Sequence, residues 1–217
     1  MIKLVIIDFD DTLSLTEEAF FKIENHIAEK LGFAPMTREA HQKNWGRPVK
    51  KAILERIPGI DADKFMQMHK EVLPGFVEKG EVDAISDKNI EVLKKLKSDG
   101  KRLAILTSRS FHEAEHLLDE NHHLNKFIEK IYHADNSKYL KPDPRAFDLA
   151  IQDFNVKPEE TIYIGDSVSD GISAKGAEIH FIALLESGLR TKEDFKSIPV
   201  DYFAKTFHQI LSYIEKN

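Results

Sequence analysis

The 217-residue chain contains no cysteine. It therefore forms no disulfide bond, has no thiol nucleophile and offers no cysteine ligand to zinc. No apolar run is long enough to span a bilayer, and Asp8 interrupts the apolar start of the chain too early for the core of a signal peptide. We therefore expect a cytoplasmic protein with no membrane partner.

Positive charge is also scarce relative to negative charge. The chain has 31 Lys and Arg against 37 Asp and Glu, a formal net charge of −6. Proteins that bind nucleic acid broadly usually carry the opposite balance, so we expect no nucleic-acid partner. A small anionic substrate remains possible, because a local site can be cationic on an acidic surface.

Four short apolar segments predict strands that are buried on both faces, as in a parallel sheet. These segments cover residues 4–7, 102–107, 161–165 and 179–184. Helical patterns lie between them, and a last helix is predicted near residues 207–214. Alternating strands and helices predict an α/β fold, a doubly wound, Rossmann-like parallel sheet with right-handed crossovers.

One long stretch after the first strand breaks this alternation. It shows helical periodicity and no convincing strand, with helices predicted over residues 17–31, 49–56 and 63–78. We therefore predict two domains. Residues 16–81 would form a helical cap, inserted into a core made of residues 1–15 and 82–217.

Polar side chains follow three of the predicted strands at the points where they end. They are Asp8, Asp10 and Thr12, then Thr107 and Ser108, and finally Asp166 and Asp170. Lys141 comes just before a predicted helix start at Asp143 and Pro144. Because the carboxyl ends of parallel strands meet at one edge of a sheet, we expect these side chains to converge there.

A group of carboxylates held this close together favours a bound cation, since like charges repel. Mg²⁺ prefers oxygen ligands, and with Lys141 it would form a positive pocket for a phosphoryl group. The Thr107 hydroxyl and nearby backbone N–H groups can hold phosphate oxygens. Asp8 can then attack phosphorus, and Asp10 can protonate the leaving oxygen and later activate a water.

With these residues the chain resembles the haloacid dehalogenase superfamily, over nearly its whole length. The match is to phosphatases with a helical cap after strand one, the phosphoglycolate phosphatase and β-phosphoglucomutase-like subfamily. The motifs are Asp8-Phe9-Asp10-Asp11-Thr12-Leu13, Thr107-Ser108, Lys141-Pro142-Asp143-Pro144 and Gly165-Asp166-Ser167-Val168-Ser169-Asp170. The resemblance implies a Mg²⁺-dependent hydrolase that cleaves a small phosphomonoester, such as phosphoglycolate, a sugar phosphate or a nucleotide, through a phosphoaspartate.

The resemblance also implies a role for each site residue. Asp8 would be the nucleophile and Asp10 the acid/base. Mg²⁺ would be held by Asp8, the backbone carbonyl of Asp10 and Asp166, with Asp170 supporting the metal site. Phosphate would be bound by Thr107, Ser108 and Lys141.

Two positions in the first motif distinguish this chain from its relatives. Many relatives have glycine where this chain has Asp11, which adds charge beside the site but leaves the assignment intact. Relatives that cleave carbon–halogen bonds lack an aspartate equivalent to Asp10. Its presence favours phosphoryl chemistry.

A glycine- and proline-marked loop in the predicted cap carries the only tryptophan, Trp45, together with Arg47 and Lys50. In the resembling family, a loop at this place faces the leaving group. We expect Arg47 or Lys50 to meet an anionic or polar leaving group, with Trp45 as a flat wall. The alternative is that Trp45 only packs between cap helices.

Two motifs point to other chemistries. His112 and His116 match the zinc-protease pattern, but Phe111, Ala114, Leu117 and Leu118 take the core face of that helix. We therefore expect both histidines to point to solvent. The segment around Ser167 resembles a serine-esterase block, yet Ser167 lacks a suitable base.

Two alternative functions remain open at this point: a phosphosugar mutase of the same family, and a non-catalytic phosphate-binding module. The expected partner is a small phosphorylated metabolite, and the protein is expected to be a monomer or a homodimer.

Overall fold

A computed structural model describes all 217 residues and contains one six-stranded parallel sheet. Its strands are β1 (Leu4–Ile7), β2 (Arg102–Leu106), β3 (Lys130–Tyr132), β4 (Thr161–Gly165), β5 (His180–Leu184) and β6 (Tyr202–Ala204). Their order across the sheet is β3-β2-β1-β4-β5-β6. The first strand in sequence is therefore in the middle of the sheet, with β2 on one side and β4 on the other.

Nine helices surround or extend this sheet. They are α1 (Glu17–Lys30), α2 (Arg38–Gln42), α3 (Val49–Arg56), α4 (Ala62–Glu78), α5 (Asp87–Ser98), α6 (Phe111–Ala114), α7 (Asp148–Phe154), α8 (Val168–Gly176) and α9 (Ile210–Ile214). Short 3₁₀ turns follow α6 and precede α7 and α9. No helix is both long enough and apolar enough to cross a membrane.

The sequence of β1 explains its central position. All four residues are apolar and completely buried. Successive side chains of a strand point to opposite faces, so Val5 and Ile7 pack in one hydrophobic cluster while Leu4 and Ile6 pack in the other. Only a strand covered on both sides accommodates such a run.

The four helices between β1 and α5, here called the inserted helices (α1–α4), have a hydrophobic cluster of their own. Phe20, Ile23, Ile53 and Phe65 belong to it. A buried ion pair crosses the same region, with Arg56 Nη1 2.5 Å from one oxygen of Glu24. Burial alone would raise the pKa of Glu24, but His41 and Arg56 outweigh it, so that pKa is lowered and the pair is held ionised.

The predicted α/β fold with a helical insertion after strand one is confirmed. The four predicted strands correspond to β1, β2, β4 and β5, and the three helices predicted after β1 correspond to α1, α3 and α4. The edge strands β3 and β6 were not predicted, because each has only three residues. The helices α2 and α8 were also missed.

Candidate active site

The candidate site lies where β1, β2 and β4 end. In the pairing of these strands, Ile7 is opposite Ile105 on one side and Ile164 on the other. The segments that follow these residues therefore leave the sheet side by side at one edge. This arrangement brings together the loops that carry Asp8, Thr107 and Asp166.

Three carboxylates form the centre of the site. Oxygen atoms of Asp8, Asp166 and Asp170 lie within 4.8 Å of one another, and all three side chains are buried. Gly165 permits this approach, since a Cβ at that position would lie 2.6 Å from the Asp170 carboxyl group. Burial, together with Asp170 and Asp8, raises the pKa of Asp166 well above its usual value. The cluster therefore needs positive charge to stay ionised.

Lys141 supplies part of that charge. Its Nζ lies 2.9 Å from Asp8 and 2.7 Å from Asp170, and it donates a hydrogen bond to the Tyr163 hydroxyl at 2.9 Å. Burial nevertheless outweighs Lys141 and raises the pKa of Asp8 to about 8, with a further contribution from Asp170. One ammonium group thus does not balance three buried carboxylates.

The donor set fits a hard divalent cation. The Asp166 carboxylate makes no hydrogen bond or ion pair with the protein, and the buried Thr12 hydroxyl also has no partner. Asp170 differs, because one oxygen contacts Lys141 and the other accepts hydrogen bonds from the Ser167 N–H and hydroxyl. Asp166 is therefore best placed to offer free oxygen ligands and Asp170 to support the site, while one Asp8 oxygen accepts a hydrogen bond from the Phe9 N–H and the other contacts Lys141.

The Asp10 carboxylate makes its hydrogen bonds outside this cluster. It accepts a hydrogen bond of 2.5 Å from the Thr16 hydroxyl and lies 2.7 Å from Nη2 of Arg109. Thr107 is buried nearby, and its Oγ1 accepts a hydrogen bond from the Arg109 N–H. Ser108 lines a small cavity together with Asp8, Asp10 and Asp166.

A cleft of about 40 Å³ separates the inserted helices from this edge of the sheet. Trp45 and Arg47 line it together with Asp10 and Ser108, so the structure brings these two predicted residues to the site. Arg47 is largely exposed and pairs with Glu55 at 3.1 Å. Trp45 also packs against aromatic rings of α1 and α2. It therefore both forms part of the cleft wall and packs between helices.

Lys50 is not brought to the cleft. It is the second residue of α3 and is exposed, and its Nζ lies 2.6 Å from Asp63 at the start of α4. This ion pair holds the Lys50 side chain near α4, and Lys50 is not among the residues that line the cleft.

Asp11, the residue that replaces the usual glycine, joins the sheet edge to the inserted helices. Its φ of 53° lies in the left-handed region, which Asp adopts more readily than most residues. Its carboxylate accepts hydrogen bonds from the Trp45 indole N–H at 2.5 Å and the Thr16 N–H at 3.2 Å. Burial and the neighbouring Asp10 raise the pKa of Asp11 to about 6.

Replacing Asp11 by glycine is therefore expected to release Trp45. A hydrogen bond to a charged group contributes about 1.5–3 kcal/mol to stability, so we expect a loss of up to that size in the free energy of unfolding and a roughly tenfold rise in KM as Trp45 leaves the wall of the cleft. Trp45 is the only tryptophan. Its fluorescence should therefore shift to the red and become more accessible to acrylamide.

Asp11→Asn is the matched control, because asparagine tolerates a positive φ and keeps an acceptor oxygen. It should leave the emission near that of the wild type. Identical spectra for the glycine variant and the wild type would show that Asp11 does not hold Trp45.

Four residues of the site were not found from the sequence: Thr16, Asp83, Arg109 and Tyr163. Tyr163 looks like an ordinary core residue of β4, yet its hydroxyl faces Asp170 and Lys141. Asp83 and Arg109 are far apart in sequence and meet only in the fold. The one available signal was the charge of Arg109, two residues after the polar Thr107 at a buried strand end.

The prediction that His112 and His116 face solvent is wrong. His112 lies 3.3 Å from His69 of α4, and His116 lies 2.5 Å from a carboxylate oxygen of Asp83. For His116 the reason is that α6 ends at Ala114 and continues as a 3₁₀ turn, which changes the direction of the following side chains, whereas His112 lies within α6 and is covered by His69 of α4.

The predicted core face of this helix also needs correction. Ala114 and Leu117 are buried, but Phe111 and Leu118 are exposed. The change from α-helix to 3₁₀ turn breaks the regular spacing at Leu118, whereas Phe111 is the first residue of α6 and lies before the change.

Ser167 has a structural role. Its side chain caps the start of α8 by accepting a hydrogen bond from the Asp170 N–H, and its hydroxyl donates to the Asp170 carboxylate at 2.6 Å. No histidine takes part in this arrangement. A serine-esterase function gains no support from this geometry.

Comparison with known proteins agrees with the motifs. A phosphoglycolate phosphatase of Nitrosospira multiformis is 24% identical, over 100% of this chain and 97% of its own length. A phosphorylated carbohydrates phosphatase of Thermotoga maritima is 27% identical, over 86% of this chain and 91% of its own length. The crystal structure of CbbY from Rhodobacter sphaeroides in complex with phosphate has the same fold, with a TM-score of 0.81, 24% identity and coverage of 97% and 96%.

The family model for haloacid dehalogenase-like hydrolases matches residues 5–184, which include all four motifs. This range spans most of the 217 residues, from the second residue of β1 to the end of β5. The resemblance deduced from the motifs is confirmed: the chain belongs to the haloacid dehalogenase-like hydrolase family.

Proposed function

We propose that this protein is a Mg²⁺-dependent phosphatase that hydrolyses a small phosphomonoester through an aspartyl-phosphate on Asp8. The observation that carries the proposal is the position of Asp8. One of its oxygens is 2.9 Å from Lys141, and it shares a cluster of carboxylates with Asp166. A buried carboxylate beside a cation site and an ammonium group is suited to attack on a phosphoryl group.

The first half of the reaction transfers the phosphoryl group to the protein. An Asp8 oxygen attacks phosphorus, the bond from phosphorus to the ester oxygen breaks, and Asp10 gives a proton to that oxygen. In the second half, Asp10 takes a proton from water while the water oxygen attacks phosphorus. The acyl phosphate bond breaks, and inorganic phosphate and the Asp8 carboxylate are released.

Mg²⁺, held by the carboxylates of Asp8 and Asp166 and the backbone carbonyl of Asp10, would neutralise charge on the phosphoryl oxygens. The three buried carboxylates with a single ammonium group support this assignment. Lys141 adds a fixed positive charge on the same phosphoryl group. Thr107 and Ser108 would donate hydrogen bonds to its remaining oxygens.

The inserted helices would act as a cap that excludes water and sets substrate size. The cleft under them has a volume of about 40 Å³, which corresponds to only a few water molecules. A wider cavity of about 570 Å³, lined by Lys141 and sharing Trp45, Gly46 and Arg47 with this cleft, leaves room for larger esters. Arg47 and Trp45 on its wall favour a polar or anionic leaving group, in line with the phosphoglycolate and phosphorylated-carbohydrate phosphatases among the relatives.

The test is a phosphate-release assay over a panel of phosphoglycolate, sugar phosphates and nucleoside monophosphates. We expect release from at least one small ester with Mg²⁺, and loss of activity to background with EDTA that is reversed by added Mg²⁺. A mutase would instead consume a sugar phosphate and return an isomer without free phosphate. No turnover of any ester with Mg²⁺ present would contradict the proposal.

A further inference from the structure

A buried arginine lies between the proposed acid/base and one end of the inserted helices. Arg109 is 4% exposed, and its guanidinium lies between the rings of Phe9 and Phe20, 4.7 and 4.9 Å from their centroids. Phe9 follows β1, whereas Phe20 belongs to α1. Arg109 is thus held at the contact between the sheet edge and the inserted helices.

Both oxygens of Asp10 are engaged by this guanidinium. Nε of Arg109 donates to Asp10 Oδ2 at 3.0 Å, and Nη2 donates to Oδ1 at 2.7 Å. A two-point contact of this kind fixes the plane of a carboxylate as well as its position. The remaining contact of Asp10 is the hydrogen bond from the Thr16 hydroxyl.

The other side of the guanidinium binds Asp83 in the segment that returns from α4 to α5. Nη1 and Nη2 of Arg109 lie 2.7 and 2.6 Å from the two Asp83 oxygens, and His116 adds a third contact. Burial raises the pKa of Asp83, but Arg109 and His116 outweigh it and lower that pKa overall. Arg109 therefore lies between two carboxylates, and without it Asp10 and Asp83 would repel each other.

Arg109 has no donor left for a substrate. An arginine has five N–H groups, and here Nε faces Asp10, Nη2 faces Asp10 and Asp83, and Nη1 faces Asp83 and the Glu113 carbonyl. Lys141, in contrast, contacts the nucleophile Asp8 directly. The arginine acts on the reaction only through Asp10.

We infer that Arg109 is a positioning residue: it orients the Asp10 carboxylate for proton transfer and couples that orientation to Asp83 in the return segment of the inserted helices. This inference rests on the proposed function, in which Asp10 is the acid/base. Arg109 would therefore matter most where the leaving oxygen needs a proton. A merely structural role would affect all substrates alike.

The experiment compares leaving groups. Phosphoglycolate and glycerol 3-phosphate release alkoxides, the first with an anionic leaving group and the second with a neutral one. p-Nitrophenyl phosphate releases a phenolate that departs without a proton. The parameter is kcat/KM, which covers the steps up to the first irreversible one and thus isolates leaving-group departure from hydrolysis of the phosphoaspartate.

For Arg109→Met we expect kcat/KM to fall about 100-fold on both alkyl esters and less than about threefold on p-nitrophenyl phosphate, as for a displaced general acid. Arg109→Lys should recover part of the loss, because it restores charge but not the two-point contact. Asp83→Asn should lower kcat/KM by a smaller factor, again more on the two alkyl esters than on p-nitrophenyl phosphate. Thermal unfolding of each variant monitors the fold.

Arg102→Met is the matched control, since Arg102 pairs with Glu129 at the opposite end of β2. It should change none of the three reactions. Equal losses of kcat/KM on all three esters for Arg109→Lys would overturn the inference. A rise in KM for phosphoglycolate alone would also overturn it, because it would indicate that Arg109 binds the anionic leaving group directly. An active Asp8→Asn variant would instead refute the proposed function.

Discussion

Replacing Asp8 by asparagine is expected to lower kcat by about 10⁴-fold or more on every phosphate ester that the protein hydrolyses. The amide is almost isosteric with the carboxylate, but its nitrogen does not displace a leaving group from phosphorus. An asparagine oxygen can still accept the hydrogen bond that the Phe9 N–H donates to Asp8. The change therefore removes the nucleophile and its ion pair with Lys141, which keeps its partner Asp170.

The stability of this variant separates chemistry from folding. Burial raises the pKa of Asp8 to about 8, so an ionised carboxylate at this position destabilises the metal-free fold. Neutral asparagine avoids that penalty, and the melting temperature without metal should equal or exceed that of the wild type. Asp99→Asn, at an exposed position after α5, is a control that should keep full activity. Activity of Asp8→Asn above about a tenth of the wild-type value would exclude Asp8 as nucleophile.

Replacing Lys141 by methionine is expected to have the second largest effect, on both activity and stability. Its ammonium group contacts Asp8 and Asp170 inside the protein, where it is almost completely buried. Removing one partner of a buried ion pair costs about 3–5 kcal/mol, because the remaining charge is left without compensation. Loss of a fixed charge on the phosphoryl group should also lower kcat/KM by about 10²–10³-fold.

A double variant distinguishes these two effects. Lys141→Met combined with Asp170→Asn removes the ammonium group and one of the carboxylates that it compensates. Chemical denaturation should show that much of the stability returns, while kcat/KM stays low because the phosphoryl group still lacks its ammonium partner. If the double variant regained activity together with stability, Lys141 would be a structural residue only.

The sequence was sufficient for the central part of the fold because burial imposes a simple pattern there. β1 is a continuous apolar run, and no other environment than the middle of a covered sheet suits it. The edge strands β3 and β6 have three residues each, too few for a pattern to emerge from local composition. Local signals also did not reveal the change from α-helix to 3₁₀ turn after Ala114, which redirects His116.

The residues of the candidate site also fall into two groups, those that the sequence predicts and those that it does not. Asp8, Thr107 and Asp166 each follow a buried strand, so their convergence could be deduced from the geometry of a parallel sheet. The contacts of Arg109 with Asp10 and Asp83 join positions 99 and 26 residues apart, and no local pattern encodes them. Such contacts depend on where the chain returns from the inserted helices, which the sequence did not specify.

The central claim is that Asp8 carries the phosphoryl group during turnover. The most direct measurement is to quench the protein in acid while it turns over its best substrate with Mg²⁺, reduce it with borohydride and sequence the peptide around residue 8 by mass spectrometry. An aspartyl-phosphate is reduced to homoserine, so we predict homoserine at position 8 in the wild type and none without substrate. Unmodified aspartate at position 8 in a quenched, active sample, with homoserine at another aspartate, would contradict the account.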